Sequence, residues 1–536
     1  MYKAALTESY FPAVSDGALS PTTIGDMLRA QAQTAPQRLA MRELTVEGDF
    51  GRAWTYVGLL RDAERLARAL ASRHKPGARI AVYANNIPEW VLIELACGLA
   101  GVTLVTVNPA YQVRELKFVL EQSRSEAIYL VEDFRGNPMG EIAREATHGN
   151  AAIRFVIRLT DHDALFAGQD KGVLPAIAPD DVAQIQYTSG TTGFPKGALL
   201  HHRGLVQNGV DGMRRAGVQP GDVFVHHMPL FHTTGCAILV LGGLAIGASF
   251  LLSPVFDPAM IVRVMERERS RFCLGVPTML VALIEEAQRS GRDMSSVEKM
   301  MSGGAMVAPE LCRKAKEVFG ASIQIVYGQT ESSPLITQAW HDDSFEDLTE
   351  TVGQAVPHVE ISIRDPAANR VVPVNVQGEI CTRGYHVMHG YNDNPDATAK
   401  TIDADGWLHT GDLGTMDQRG YVRVTGRVKE MIIRGGENLF PAEIENAILE
   451  HDAIAEAAVV GVPDEKWGEQ IACFMRAKRA ARPDAAALKS FLRARLSPQK
   501  TPLYWIYVDS WPLTGSGKIQ KFKLCEAFQR GDFKPL

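Results

Sequence analysis

The stretch Tyr187–Ala198, which reads YTSGTTGFPKGA, constrains this chain more than any other segment. Glycines let a backbone approach a ligand closely, and exposed N–H groups and hydroxyls donate to phosphate oxygens. A lysine adds a point charge that suits a polyphosphate. The segment therefore predicts a triphosphate-binding loop made of Thr188, Ser189, Gly190, Thr191, Thr192, Gly193 and Lys196. The alternative is a flexible linker, which the closely flanking apolar segments disfavour.

This loop differs from the common nucleotide-binding motifs. The usual triphosphate loop reads G-x-x-x-x-G-K-[ST], whereas here Phe194 and Pro195 separate the last glycine from Lys196. Gly197 then stands where that motif places a magnesium-binding hydroxyl. The dinucleotide fingerprint is also absent. The loop instead resembles the signature of the adenylate-forming superfamily, which contains acyl-CoA synthetases, luciferases and the adenylation domains of peptide synthetases.

Composition narrows the class of protein. A chain of 536 residues is too long for one core and predicts roughly two to four lobes. A net charge of −6 gives no electrostatic reason to expect nucleic acid as a partner. The seven cysteines contain no C-x-x-C pair, which argues against a zinc site or a disulfide framework and fits a reducing cytoplasm. The N-terminus lacks a basic start followed by an apolar run, so no secretory signal is expected.

One segment is apolar enough to be tested as a membrane span. Cys236–Phe256 carries no charged residue and is nearly long enough to cross a bilayer. Glycines interrupt it at 242, 243 and 247, however. We therefore predict a buried helix followed by the strand Ala248–Leu252, and no transmembrane segment.

The order of elements predicts an α/β fold. Arg79–Thr106 reads as strand, helix (about Ile87–Gly98) and strand, which implies a parallel sheet. The same rhythm recurs over 223–252 and 271–303. From about residue 430 short strands alternate with helices, one of them opened by Pro441. We predict a large, multi-lobed N-terminal domain (residues 1–428) with mixed and parallel sheets sandwiched by helices. A small, mobile α+β domain (residues 429–536) follows.

A second polar cluster, Tyr327–Ser332, follows an apolar strand. A carboxylate just past the end of a strand lies where ligands bind in open α/β sheets, and Mg²⁺ prefers carboxylate and phosphate oxygens. Glu331 is thus a candidate metal ligand, the alternative being a solvated loop acid. The resemblance assigns Glu331 to magnesium, Thr330 to the α-phosphate and Tyr327 to stacking on adenine, with Gly328 and Gln329 in the same motif.

Three further segments match the family. Alone, Gly303, Gly304 and Ala305 would form an ordinary strand-to-helix turn, and in the family this segment lines the adenine and acyl pockets. Asp412 could accept hydrogen bonds from two vicinal ribose hydroxyls, although alone it would read as a turn residue. The resemblance implies that Asp412 and Arg427 bind ribose and that Lys429 is the hinge.

Lys518 follows a glycine-rich run near the C-terminus. Alone it would be a surface lysine. The resemblance makes it the mobile catalytic lysine, which joins Thr330, Glu331 and His232 as candidate catalytic residues.

The acyl and thiol sites depend most on the resemblance. His232 matches a residue that gates the thiol tunnel, the alternative being a buried histidine with its hydrogen bonds satisfied. Mostly small, apolar residues are expected to line the pocket and to favour an apolar acid: Gly235, Cys236, Val276, Thr278, Gly304 and Leu335. Gly436, with its neighbour Gly435, is expected to line the pantetheine tunnel.

The resemblance spans roughly residues 20 to 530. The runs MIIRGGENLFPAEIE and YGQTESSPLIT look most like medium-chain, family-member-2 acyl-CoA synthetases. The implied reaction uses ATP, Mg²⁺ and coenzyme A to convert a medium-chain or other apolar acid into acyl-CoA through an acyl-adenylate. A carrier-protein acceptor, an enzyme of one half-reaction, a non-catalytic sensor and a luciferase-type oxygenase stay open. The expected state is a monomer or homodimer in the cytoplasm.

Overall fold

The computed structural model describes residues 1–19, 22–168, 173–188, 195–434, 437–478, 482–513 and 519–536, with the backbone alone at 429, 437 and 438. Backbone contacts divide the chain into two compact units. The first comprises residues 1–3, 11–361 and 382–408, and the second comprises 4–10, 362–381 and 409–536. The predicted boundary between residues 428 and 429 falls inside the second unit and stays a prediction.

The elements within the described residues run as follows. The strands are β1 (Tyr10–Phe11), β2 (Leu39–Leu44), β3 (Phe50–Thr55), β4 (Arg79–Tyr83), β5 (Thr103–Val107), β6 (Ala127–Leu130), β7 (Phe155–Arg158), β8 (Val182–Thr188), β9 (Lys196–His201), β10 (Val223–His226), β11 (Ser249–Leu252), β12 (Phe272–Leu274), β13 (Lys299–Gly303), β14 (Ile323–Gly328), β15 (Leu335–Gln338), β16 (Gln354–Ala355), β17 (Val359–Arg364), β18 (Gly378–Gly384), β19 (Leu408–Met416), β20 (Val422–Arg427), β21 (Ile432–Arg434), β22 (Glu437–Leu439), β23 (Ile454–Asp464), β24 (Gly468–Ala477) and β25 (Tyr504–Tyr507). The α-helices are α1 (Ile24–Thr34), α2 (Tyr56–Ala71), α3 (Pro88–Ala100), α4 (Val113–Ser123), α5 (Met139–Thr147), α6 (His162–Leu165), α7 (His202–Arg215), α8 (Gly243–Ile246), α9 (Pro258–Arg267), α10 (Pro277–Ser290), α11 (Pro309–Phe319), α12 (Phe345–Glu350), α13 (Pro395–Thr401), α14 (Pro441–Leu449), α15 (Ala485–Arg493) and α16 (Lys521–Gln529). A π-helix covers Thr234–Gly242, and 3₁₀ turns cover Thr330–Ser332, Val428–Glu430 and Pro498–Lys500.

The first unit contains two mixed sheets. One has the order β7-β6-β4-β5-β8-β9 and is parallel except for the β8–β9 hairpin. The other has the order β16-β15-β14-β13-β12-β10-β11-β2-β3 and is parallel from β14 to β2. Every residue of α3 is buried, which agrees with a sequence that is apolar on all sides apart from Glu89 and Glu94. The predicted strand–helix–strand unit is confirmed, since β4 and β5 pair in parallel across α3.

The apolar segment tested as a membrane span is interior structure. It forms the second part of the π-helix, then α8 and β11, which confirms the predicted buried helix and strand. No helix of the described residues is long and apolar enough to cross a membrane. The π-helix lies against α7 at two glycines, because a Cβ on Gly209 would lie 2.9 Å from the Gly242 nitrogen and one on Gly242 would lie 2.5 Å from the Gly209 oxygen.

The second unit holds most of a five-stranded sheet, ordered β1-β17-β18-β19-β20, and a C-terminal sheet, ordered β22-β21-β24-β23 with β25 on β24. The C-terminal sheet has a core on each face. Val459 packs with α14 and α15, whereas its neighbours Ala458 and Val460 pack with Leu524 of α16. The alternation follows from the period of two along a strand. The predicted α+β character of this region is confirmed, and α14 begins at Pro441 as expected. Its mobility stays a prediction.

Candidate active site

The predicted phosphate loop connects two strands of an antiparallel hairpin. Thr188 pairs with Lys196 in the register of β8 and β9, so these residues close the loop at its base. The Thr188 hydroxyl oxygen lies 3.5 Å from the Lys196 carbonyl oxygen. The candidate residues Ser189, Gly190, Thr191, Thr192 and Gly193 lie outside the described residues. The hairpin nevertheless fixes where the loop begins and ends.

Glu331 is buried beside the base of this loop. It lies in the 3₁₀ turn Thr330–Ser332 that follows β14, where the Ser332 hydroxyl accepts the Gln329 N–H at 3.1 Å. Glu331 is 8% exposed. Its Oε1 accepts the Tyr391 hydroxyl at 2.7 Å and the Thr188 hydroxyl at 3.4 Å. Two segments predicted separately, the loop base and the Glu331 cluster, therefore meet in the structure.

Tyr391 is the site residue that the sequence did not reveal. Its segment runs beside β9, where the Leu199 N–H donates to the Gly390 carbonyl at 2.9 Å and the Asn392 N–H donates to the Gly197 carbonyl at 2.7 Å. Burial, and then the charge of Glu331, raise the pKa of the Tyr391 hydroxyl, so it stays a hydrogen-bond donor. No spacing in the sequence connects this tyrosine to Glu331.

Lys196 and Tyr391 also share a cavity. The Lys196 ammonium lies 4.8 Å from the centre of the Tyr391 ring, within the range of a cation–π contact. A cavity of about 290 Å³ opens beside them and is lined in part by polar side chains, including Gln122, Asn392 and Asn394. Cation, carboxylate and hydroxyls thus lie together at the base of the loop.

The predicted adenine segments lie at the ends of adjacent parallel strands. Gly303 at the end of β13 pairs with Val326 of β14, one residue before Tyr327. A Cβ on Gly303 would lie 2.3 Å from the Val326 oxygen, and one on Gly328 would lie 1.9 Å from the Pro334 oxygen. Gly304 has a φ of +77°, which strains any other residue. Backbone geometry therefore requires these glycines, whatever ligand they face. Ala305, which follows, is exposed.

Asp412 and Arg427 lie opposite each other in the second unit. They pair in the register of β19 and β20, and the Arg427 Nε lies 2.8 Å from Asp412 Oδ1. The aspartate is 5% exposed, whereas the arginine side chain is 54% exposed. The two predicted ribose ligands are thus neighbours. Lys429 lies in the 3₁₀ turn that follows, and Gly435, Gly436 and Lys518 lie outside the described residues.

Several predicted acyl-pocket residues are packed against protein. Gly235 is buried, and a Cβ there would lie 2.1 Å from the Pro229 oxygen. Cys236 is fully buried, with its sulfur 3.1 Å from Gln186 Nε2. Leu335 is 2% exposed. These contacts give each residue a packing role, and their role toward an acid stays a prediction.

The remaining acyl-site candidates are less buried. His232 is half-buried, and its Nδ1 accepts the Thr234 N–H at 3.2 Å. Val276 caps α10 and Thr278 is exposed in its first turn. Their roles also stay predictions.

A buried network of polar side chains lies next to Cys236, and the sequence analysis did not predict it. Gln184 Nε2 donates to Glu94 Oε1 at 2.7 Å, and Gln186 Nε2 donates to Gln184 Oε1 at 2.8 Å. Glu94 is 1% exposed, and burial raises the pKa of its carboxyl well above the ordinary value. A glutamate within an apolar helix was the signal that could have indicated this network.

Comparison with known proteins decides the family. The profile of the AMP-binding enzyme family matches residues 28–392, and that of the AMP-binding enzyme C-terminal domain matches residues 443–518. This chain belongs to the AMP-binding enzyme family. It is 36% identical over 535 residues to the putative acyl-CoA synthetase YngI of Bacillus subtilis, covering 94% of this chain and 97% of that one. It is 33% identical to the human mitochondrial medium-chain acyl-CoA ligase ACSF2, covering 97% and 90%.

Solved structures agree with this family. ATP-bound MatB from Rhodopseudomonas palustris superposes with a TM-score of 0.84 at 28% identity, covering 95% of this chain and 99% of that one. The o-succinylbenzoate CoA synthetase MenE from Bacillus subtilis, in complex with its acyl-adenylate, superposes with a TM-score of 0.82 at 27% identity, covering 94% and 98%. These findings confirm the α/β fold and the assignment to the AMP-forming acyl-CoA synthetases, which are acid–thiol ligases.

Proposed function

We propose that this enzyme converts a medium-chain or other apolar carboxylic acid into its coenzyme A thioester, using ATP and an acyl-adenylate intermediate. The observation that carries the proposal is the meeting of Thr188, Lys196, Glu331 and Tyr391 at the base of the phosphate loop. An ammonium, a carboxylate and hydroxyls there suit a polyphosphate and its counter-ion.

The residues around Glu331 fit magnesium. Mg²⁺ binds through one or two carboxylates and substrate phosphates, and Glu331 Oε1 accepts hydrogen bonds from the hydroxyls of Tyr391 and Thr188. Among the described residues no lysine or arginine forms an ion pair with this carboxylate, so its charge is not neutralised within the described part of the chain. When bound, the metal would offset charge on the phosphates.

In the first step an oxygen of the substrate carboxylate bonds to the α-phosphorus, and the bond from that phosphorus to the bridging oxygen breaks. Pyrophosphate leaves and acyl-adenylate forms. Lys196 and the loop donors hold the phosphates, while Thr330 contacts the α-phosphate. Lys518 stabilises the charge that develops there, an effect typically worth about 3–4 kcal/mol. Positioning and charge account for most of such catalysis.

In the second step the thiol of coenzyme A loses its proton and its sulfur bonds to the acyl carbon. AMP leaves with the electrons of the broken acyl–oxygen bond. We propose that the C-terminal domain turns about Lys429 between the steps, which removes Lys518 and brings Gly435 and Gly436 to the thiol path. Such hinge motions are common in enzymes that close around ligands.

The acid class rests on two supports. Relatives over nearly the full length are named medium-chain ligases, and the candidate pocket residues are small or apolar. We propose a cytoplasmic setting, in which thiols stay reduced, and none of the seven cysteines forms a disulfide. An acceptor on a carrier protein is the second candidate, and only the acceptor assay separates the two.

The test measures pyrophosphate release with a series of straight-chain acids from acetate to palmitate. Each acid is assayed with coenzyme A, with a phosphopantetheinylated carrier protein and with neither thiol. We expect activity to peak at medium chain length and the thioester to form on coenzyme A. If the thioester forms only on the carrier protein, the acceptor is that protein and not coenzyme A. If no acid gives pyrophosphate, the proposal is wrong.

Separate half-reactions test the proposed alternation. Lys518→Ala should lower acyl-adenylate formation by about two to three orders of magnitude while thioester formation from prepared acyl-adenylate survives. Lys523→Ala, which removes an exposed lysine of α16, is the matched control. Lys429→Pro fixes φ and should suppress one half-reaction more than the other. Equal loss of both half-reactions in the Lys518 variant would contradict the alternation.

A further inference from the structure

The segment His409–Asp412 belongs to β19, which pairs with β18, and one glutamate of β18 adds two side-chain contacts to it. Glu379 Oε2 lies 2.8 Å from His409 Nδ1, and Glu379 Oε1 accepts the Gly411 N–H at 2.9 Å. Because a carboxylate only accepts hydrogen bonds, Nδ1 carries the hydrogen of the first contact. The two oxygens of one side chain therefore hold two positions of the segment.

The residues between these positions are held as well. The Thr410 hydroxyl donates to the Ile380 carbonyl at 2.7 Å, and the same hydroxyl accepts the Asp412 N–H at 3.1 Å. Gly411 has a φ of +73°, a conformation that its lack of a side chain permits. Contacts with β18 thus fix the position of the backbone at Asp412.

Glu379 is mostly shielded from water. Its side chain is 13% exposed and that of His409 is 20% exposed. Hydrogen bonds to charged groups are stronger than neutral ones, and leaving a shielded partner unsatisfied is costly. Loss of this carboxylate would remove a hydrogen-bond acceptor from both His409 and Gly411.

We propose that Glu379 is a positioning residue for the ribose of ATP. It acts through His409 and Gly411 to hold Asp412 at the angle from which its carboxylate accepts the ribose hydroxyls. The inference rests on the proposed function, which makes Asp412 a ribose ligand. Nothing in the sequence motif around Asp412 includes Glu379, which lies 33 residues earlier on another strand.

The same neighbourhood contains three potential metal-ligand atoms. Those of Glu379, Cys381 and His409 lie within 4.8 Å of one another, and Cys381 Sγ is 3.4 Å from His409 Nδ1. Within the described residues, however, both carboxylate oxygens already accept hydrogens from His409 and Gly411. The hydrogen bonds that Glu379 accepts from His409 and Gly411, which we call the brace, are therefore favoured over a metal site. Metal binding is one outcome of the test.

The experiment compares ATP with its 2′-deoxy and 3′-deoxy analogues in the pyrophosphate-release assay. In Glu379→Gln, kcat/KM for ATP should fall about tenfold, the effect of one charge-assisted hydrogen bond. The kcat/KM for each deoxy analogue should change much less. The preference for ATP, which is the ratio of kcat/KM for ATP to that for an analogue, should therefore fall toward one. A general loss of structure would lower all three rates together.

Control variants separate the possible failures. Glu126→Gln removes a similar glutamate–histidine contact, 2.6 Å from His74, and should leave the preference for ATP unchanged. If Asp412→Ala keeps the preference, the proposed ribose site is wrong. If Asp412→Ala loses it while Glu379→Gln keeps it, the brace alone is wrong.

Two further measurements complete the test. If Glu379→Gln does not fold, His409→Asn reports on the same brace and should show the same selective loss. Each purified protein is also titrated with Zn²⁺ alone. Stoichiometric zinc uptake that Cys381→Ser abolishes would overturn the brace in favour of a metal site.

Discussion

Glu331 in the first unit and Asp412 in the second are both nearly buried carboxylates, yet their partners differ. Glu331 accepts hydrogen bonds from the neutral hydroxyls of Tyr391 and Thr188. Asp412 lies 2.8 Å from the guanidinium of Arg427. A carboxylate among neutral donors keeps its charge available for an added cation, whereas one beside arginine is already neutralised and suits hydroxyl donors. The partners therefore support the proposed roles of Glu331 as a metal ligand and of Asp412 as a ribose ligand.

Glu331→Gln is expected to have the largest effect and tests the proposed metal role, because it removes the charge of the side chain and keeps its shape. Adenylation should fall by about two to three orders of magnitude and require more magnesium, because the metal loses its protein ligand. The thiol step, measured from prepared acyl-adenylate, should depend on magnesium much less. An unchanged magnesium requirement for adenylation would make Glu331 a structural loop acid.

Tyr391→Phe tests whether the neutral hydroxyls matter to Glu331. The variant keeps the ring near Lys196 and removes the 2.7 Å hydrogen bond to the carboxylate. Adenylation should fall about tenfold, since a buried hydrogen bond to a charged group is worth roughly 1.5–3 kcal/mol. The dependence on magnesium concentration should shift in the same direction as for Glu331→Gln. A loss of activity at unchanged magnesium dependence would separate Tyr391 from the metal.

Arg427→Ala tests the other carboxylate. The arginine side chain is 54% exposed, and exposed ion pairs typically contribute only about 0.2–1 kcal/mol, so KM for ATP should rise a few-fold while the magnesium dependence is unchanged. Arg419→Ala removes an exposed pair with Asp417 in the same hairpin and is the matched control. A shifted magnesium requirement in Arg427→Ala would contradict the division between the two carboxylates.

The smallest effect on activity is expected for Glu94→Gln, a buried carboxylate outside both sites. Burial raises the pKa of Glu94, so the native protein favours the neutral acid, and glutamine can accept the same hydrogen bond from Gln184. A raised pKa gives stability that is present at low pH and lost as pH rises. Thermal melting of the variant and the wild type should therefore diverge in the variant's favour as pH rises. A melting difference that does not change with pH would contradict the raised pKa of Glu94.

Local patterns predicted much of the fold and of the site. Arg79–Tyr83 is β4 as expected, since an apolar run bounded by turn residues is a local signal. The phosphate loop, the Glu331 cluster, Asp412 and Arg427 were predicted because each lies in a short, contiguous motif. The contact between the loop base and the Glu331 cluster was implied only by the family resemblance.

What escaped prediction depends on contacts between distant segments. Tyr391 reaches Glu331 through a loop that runs beside β9, and Glu379 reaches Gly411 from another strand. Neither contact leaves a period or spacing in the sequence. The π-helix was not predicted for a different reason. A segment that is apolar on every side has no alternation of apolar and polar residues, so the sequence does not show how many residues make one turn.

That π-helix contains Gly235 and Cys236, two residues predicted to line the acyl pocket, so its winding bears on how the proposed pocket changes over evolution. Its hydrogen bonds span one residue more than those of an α-helix, so losing one residue would let the segment rewind as an α-helix. Such a deletion would rotate several side chains about the helix axis at once, whereas a substitution alters one side chain. Deleting Leu239 should therefore shift the preferred acid length, measured across straight-chain acids, more than replacing it with alanine does. A larger shift for the deletion would show that the winding of this segment affects acid preference more than any one of its side chains does.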